Sequence, residues 1–136
     1  MGRPKPSSDA QQRYEADVAL AGRRPELLDA AREAESLFRE AQAQRAPEAD
    51  LRRRAEDLDS ALTAAVWAAY AAQRAEIGPR GYDDRIYRRK AKAKPHIHAL
   101  TADAERLLTL RETHRVNDIP AVTFEPSPLM APIIKA

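Results

Sequence analysis

The chain has 136 residues, a net charge of +2, 32% charged residues, only 5% aromatic residues and no cysteine. That length suits one domain with a real core, and a composition rich in Ala, Arg, Glu and Leu favours helices over sheets. The missing cysteines exclude a disulfide framework, a thiolate metal site and a cysteine nucleophile. No uncharged run approaches the roughly 20 apolar residues of a membrane span.

Met1-Gly2-Arg3-Pro4-Lys5-Pro6 leads into polar Ser7-Ser8-Asp9, which is not the apolar core of a secretory signal. Pro6 stands where myristoylation of Gly2 wants Ser or Thr. The expected setting is soluble and cytoplasmic, or a virion assembled there. Residues 1–7 read as a short arm, extended by Pro4 and Pro6 and positive through Arg3 and Lys5. Within it, Gly2-Arg3-Pro4 resembles the core of an AT-hook, in which an extended Arg-Pro segment lies in the minor groove. It is also similar to the basic, proline-containing start of some phage small terminase subunits. Both resemblances cover this arm alone.

A helical bundle is expected over residues 8–116. Ser8, with Gln11 three positions on, has the capping-box pattern and opens a first helix that runs to about Ala21, where Gly22 supplies a left-handed stop. Pro25 suits the first turn of a second helix. Its residues Leu27, Ala31, Ala34, Phe38 and Ala41 step by four and three, which puts them on one face. The stripe loses phase at Ala46-Pro47 and resumes in a third, long helix as Leu51, Ala55, Leu58, Leu62, Ala65, Ala69 and Ala72. Two matching seams separated by a proline predict an antiparallel, coiled-coil-like hairpin over 25–78. Towards its end the third helix is uncharged on every face from Ala64 to Ala72, and such a belt has to be covered. Trp67 and Tyr70 are its anchors, either of the core or of a partner interface. Covered in either way, Trp67→Ala is expected to cost about 3 to 5 kcal/mol.

Gly78-Pro79 ends the hairpin. The segment 79–95 then holds seven bases (Arg80, Arg85, Arg88, Arg89, Lys90, Lys92 and Lys94) and two acids, a net of +5, so the rest of the chain sums to −3. Asp83 or Asp84 caps a short basic helix here, with its lysines at the end that the helix dipole favours. Tyr82 and Tyr87, interleaved with these bases, make the segment a candidate surface for nucleic acid or another polyanion, through phosphate contacts and base stacking. Neutralising five phosphates corresponds to a log–log salt slope of about −4 to −5. An acidic protein surface meets the same chemistry.

A last helix over 96–116, with Ile97, Leu100, Ala104, Leu107 and Arg111 on one side, is the expected cover for the Trp67 belt. The final segment, 117–136, combines four prolines with Ile119, Val122, Phe124, Leu129, Met130, Ile133 and Ile134. Proline excludes helix and central strand, and so apolar an arm calls for a groove, either on its own bundle or on a partner.

Catalytic and metal motifs are not found. His96 and His98 point to nearly opposite sides of a helix, and His114 lies too far along it to join them. Asp83-Asp84 is explained as a cap, and there is no glycine-rich phosphate loop or Gly-x-Ser-x-Gly. The expectation is an all-α bundle of about four helices with extended arms, with no cofactor and no enzymatic activity. It would be fastened as a structural adaptor into a larger assembly, such as a phage head or tail. The alternative is a nucleic-acid-binding protein that uses residues 80–94 and dimerises through its hairpin.

Overall fold

The computed structural model describes residues 5–119. Among these residues there are six helices and no strand: α1 (Ser8–Gly22), α2 (Arg24–Ala43), α3 (Glu48–Ile77), α4 (Arg80–Asp83), α5 (Arg85–Lys92) and α6 (Pro95–Asp118). The all-helical expectation holds, but with six helices in place of about four. The basic segment is folded into two of them. None of the described helices is long and apolar enough to cross a membrane.

Two of the expected signals act at neighbouring positions. Ser7, not Ser8, is the N-cap of α1, and its extended backbone lets Oγ accept from the Ala10 N–H at 3.0 Å. Gly22 stays inside α1 and does not turn left-handed; the break falls at Arg23. Its cause is Pro25, which has no N–H with which to continue the ladder onto the Ala21 carbonyl. Gly78 does take the left-handed role at the end of α3, with φ of 99°.

The long helix α3 is the axis of the fold, with α1, α2 and α6 all packed on it. Cross-links fix the directions. Arg24 pairs with Asp103 and Phe38 meets His114, so α2 and α6 run the same way. Gln73 bonds Thr101 and Arg115 bonds Asp59, so α6 runs against α3. The predicted seams form the core: Ala31 and Phe38 from α2 meet Ala55, Leu58, Leu62 and Ala65 from α3. Burying Phe38, Leu58 and Leu62 stabilises by about 1.5 to 3 kcal/mol each, and each alanine by less.

His114 closes one end of this core. Its ring is 5% exposed and lies edge-on to Phe38, with Nε2 2.8 Å from the Ala55 carbonyl and Nδ1 2.8 Å from the Asp118 carboxylate. A second, smaller core of Ile77, Ala91 and Ile97, with Tyr87 packed on it, joins the end of α3 to α5 and α6. Gly81 is required in this corner, because a Cβ there would lie 2.6 Å from Ile77 Cγ2.

The belt from Ala64 to Ala72 is covered except at Trp67. Ala65, Val66, Ala68, Ala69 and Ala71 are buried, but Trp67 is 62% exposed and Tyr70 is partly buried. Helices α1, α2 and α6 all pack on α3, and the Trp67 indole is left outside their contacts. The arm residues Val122, Phe124, Leu129, Met130, Ile133 and Ile134 lie outside the described residues, as does Gly2-Arg3-Pro4.

Candidate nucleic-acid interface

The basic segment is built on Asp84. Its extended backbone separates α4 from α5, and its carboxylate accepts from the Tyr87 N–H at 2.9 Å. That backbone hydrogen bond, together with Arg80, holds the Asp84 carboxyl below its ordinary range against the opposing effect of desolvation. The cap neutralises the positive dipole end of α5, where Arg85 stands, and Arg89, Lys90 and Lys92 fall in its last turn.

The seven bases divide into two groups. Arg80 and Arg88 serve the fold: the Arg80 guanidinium lies 4.5 Å above the Tyr87 ring and pairs with Asp84 at 3.4 Å, and Arg88 Nη1 donates to the Gly81 carbonyl at 2.8 Å. Arg85, Arg89, Lys90, Lys92 and Lys94 are exposed. Among the described residues, none of these five has a carboxylate within ion-pairing distance. Arg85, Arg89 and Lys92 follow helical i, i+4, i+7 spacing and form one stripe. Ile86 stands among them, 68% exposed.

A further base, Lys5, is brought to the same surface. The Ser7 N–H donates to Asp83 Oδ2 at 2.7 Å and its hydroxyl donates to Asp83 Oδ1 at 2.9 Å. Lys5 and Pro6 therefore sit with Arg80, Arg85, Ile86 and the carboxylates of Asp83 and Asp84 around one shallow cleft of about 350 Å³. Sequence spacing gives no sign of this contact, since its partners are 76 positions apart.

Tyr82 is held elsewhere. Its hydroxyl donates to Asp17 Oδ2, and the Arg13 guanidinium lies 5.4 Å over its ring. Asp17 also accepts from Arg74 Nε at 2.8 Å and Nη2 at 3.1 Å. Burial pushes the Asp17 carboxyl up, yet it sits below its usual range because hydrogen bonds from Arg74 and Tyr82 and the charges of Arg74 and Arg13 outweigh that effect. The Tyr82 phenol is pushed up, first by burial and then by Asp17. This network joins α1, α3 and α4, and residue spacing within one helix cannot reveal it. Both candidate tyrosines thus already carry a guanidinium on one ring face.

The partner-binding candidates are dispersed. Trp67 is exposed on α3, and Tyr70, three residues on, is partly buried. Ile119 is 8% exposed and packs into the main core, where it borders a cleft of about 260 Å³ that Phe38, Leu51 and Ala55 also line. No group of three or more His, Cys, Asp or Glu among the described residues is arranged to hold a metal ion. No family model matches the chain, and neither a curated protein nor a solved structure matches it.

Proposed function

We propose that the protein is a non-enzymatic, helical nucleic-acid-binding protein whose α5 surface, extended by the N-terminal arm, meets the phosphate backbone. The observation that carries this reading is the Ser7–Asp83 contact, which sets Lys5 beside the exposed Arg85. Lys5, Arg80 and Arg85 outnumber Asp83 and Asp84 around that cleft, and Arg89, Lys90, Lys92 and Lys94 stand uncompensated further along. Phosphate contacts of this kind give affinity without sequence preference. The test is size-exclusion chromatography with light scattering on the full-length protein, recording absorbance at 260 and 280 nm at low and high salt. Nucleic acid that co-elutes at low salt and is removed by high salt supports the proposal; a peak free of nucleic acid at low salt, even after a duplex is added, contradicts it.

A second reading is favoured by Trp67. A large aromatic that is 62% exposed on the central helix suits a hot spot for a protein partner. On this reading the protein is an adaptor in a larger assembly, such as a phage head or tail component, and the segment beyond Ile119 fastens it. Removing residues 120–136 then abolishes assembly while the helices stay folded.

A further inference from the structure

Beside α5, where α1, α3 and α4 meet, three guanidiniums line one small cleft. Arg13, Arg74 and Arg88 surround about 70 Å³ whose remaining walls are Ile77, Gly81 and Tyr82. Like charges repel, so a fold that gathers three of them calls for an anion. The carboxylate at hand is Asp17, and its oxygens are already engaged by Arg74 and Tyr82. Three cations against one anion leave a surplus of two positive charges at this spot.

The donors are also disposed to receive something. Stacking over Tyr82 fixes the plane of the Arg13 guanidinium through its π face and leaves the N–H groups on its edge unused. Among the described residues no acceptor is bonded to them. Arg88 gives one N–H to the Gly81 carbonyl, which anchors its head at the cleft and leaves its other donors available. Arg74 is fixed by the two-pronged bond to Asp17 and contributes its charge. The fork of a guanidinium matches the oxygens of a phosphate, and the cleft is small, about 70 Å³.

The geometry points to a phosphate subsite formed by Arg13, Arg88 and Arg74, distinct from the exposed stripe on α5. Its ligand is a phosphate group, either a backbone phosphodiester or a free phosphate. The backbone source rests on the nucleic-acid reading above; the free source does not.

The test follows the arginine Nε–Hε signals in ¹⁵N–¹H spectra of the full-length protein. It is titrated separately with inorganic phosphate and with a short DNA duplex, against chloride at matched ionic strength. Saturable shifts of the Arg13 and Arg88 signals are expected. A response to the duplex identifies the backbone as the ligand, and a response to phosphate alone identifies a free phosphate. Arg13→Gln is expected to weaken the effective titrant about tenfold, the equivalent of one charge-assisted hydrogen bond. Because Arg13 is exposed and makes no ion pair among the described residues, this variant keeps the fold. No shift of either signal with either titrant, or an unchanged titration in Arg13→Gln, overturns the subsite. The triple variant Arg85→Gln, Arg89→Gln, Lys92→Gln separates the two proposals. If it binds the duplex as well as wild type does, the α5 surface is wrong, and the response at Arg13 stands or falls independently.

Discussion

Ser7 and Asp83, 76 positions apart, are joined by two hydrogen bonds of 2.7 and 2.9 Å. The same Ser7 hydroxyl accepts from the Ala10 N–H and so caps α1. This hydroxyl thus starts the first helix and, with the backbone N–H, ties the arm before it to the basic segment. Ser7→Ala removes the cap and the hydroxyl's bond to Asp83, keeps the backbone N–H bond, and is expected to cost about 1 to 2 kcal/mol, read as a lower urea midpoint. An unchanged midpoint would mean that neither hydroxyl bond persists in solution.

Trp67 and Leu58 lie on the same helix in opposite environments, 62% and 1% exposed. Leu58→Ala opens a cavity in the main core and is expected to cost about 2 to 5 kcal/mol. Trp67→Ala is expected to change stability by only about 0.5 kcal/mol. Chemical denaturation of both variants checks the contrast, and free access of iodide to the Trp67 fluorescence checks its exposure. A loss at Trp67 as large as that at Leu58 would show that another chain covers the indole.

What could be read in the sequence, and what could not, follows from the range of the interactions. The seams of α2 and α3 were legible because the spacing of Ala31, Phe38, Ala55, Leu58 and Leu62 is itself the signal of a buried face. The caps were legible to within one position, since Ser7 and Ser8 are chemically equivalent and only the backbone chooses between them. Cover for Trp67 was not legible: periodicity says that a face is apolar, but not whether a neighbour is long enough or placed to reach it. The pairing of Ser7 with Asp83 and the cluster of Asp17, Arg74, Arg13 and Tyr82 depend on which helices meet, and no local pattern encodes that. The place of His114 against Phe38 and Ala55 is a tertiary fact of the same kind.

Asp17 gives the fold a defined response to acid. Its folded pKa lies below the ordinary 3.8, so its contribution is fully present above that value and is lost as pH falls through the folded pKa. Asp17→Asn is therefore expected to be less stable than wild type at neutral pH. The difference is about 1 to 2 kcal/mol, kept small because the Arg74 side chain is 41% exposed and screened by water. Below pH 3.8 the gap narrows, and unfolding curves at several pH values measure it. A gap that does not change with pH would contradict the pairing.

Tyr82 responds at the other end of the scale. Its phenol is raised above the ordinary value of 10.0, so its bond to Asp17 persists as pH passes that value and is lost only at the higher folded pKa. An absorbance titration of the tyrosines is expected to show a late step that is missing in Tyr82→Phe. A titration with no late step would show that the hydroxyl does not reach Asp17.

The central claim, that α5 and the arm together meet phosphates, is tested most directly by duplex binding measured by fluorescence anisotropy across a range of salt concentrations. Five phosphate contacts give a log–log slope of about −4.5 for the wild type. Replacing Arg85, Arg89 and Lys92 by Gln is expected to weaken binding for every duplex sequence alike and to flatten the slope by about 2.7. A slope and an affinity that the triple variant leaves unchanged would contradict it.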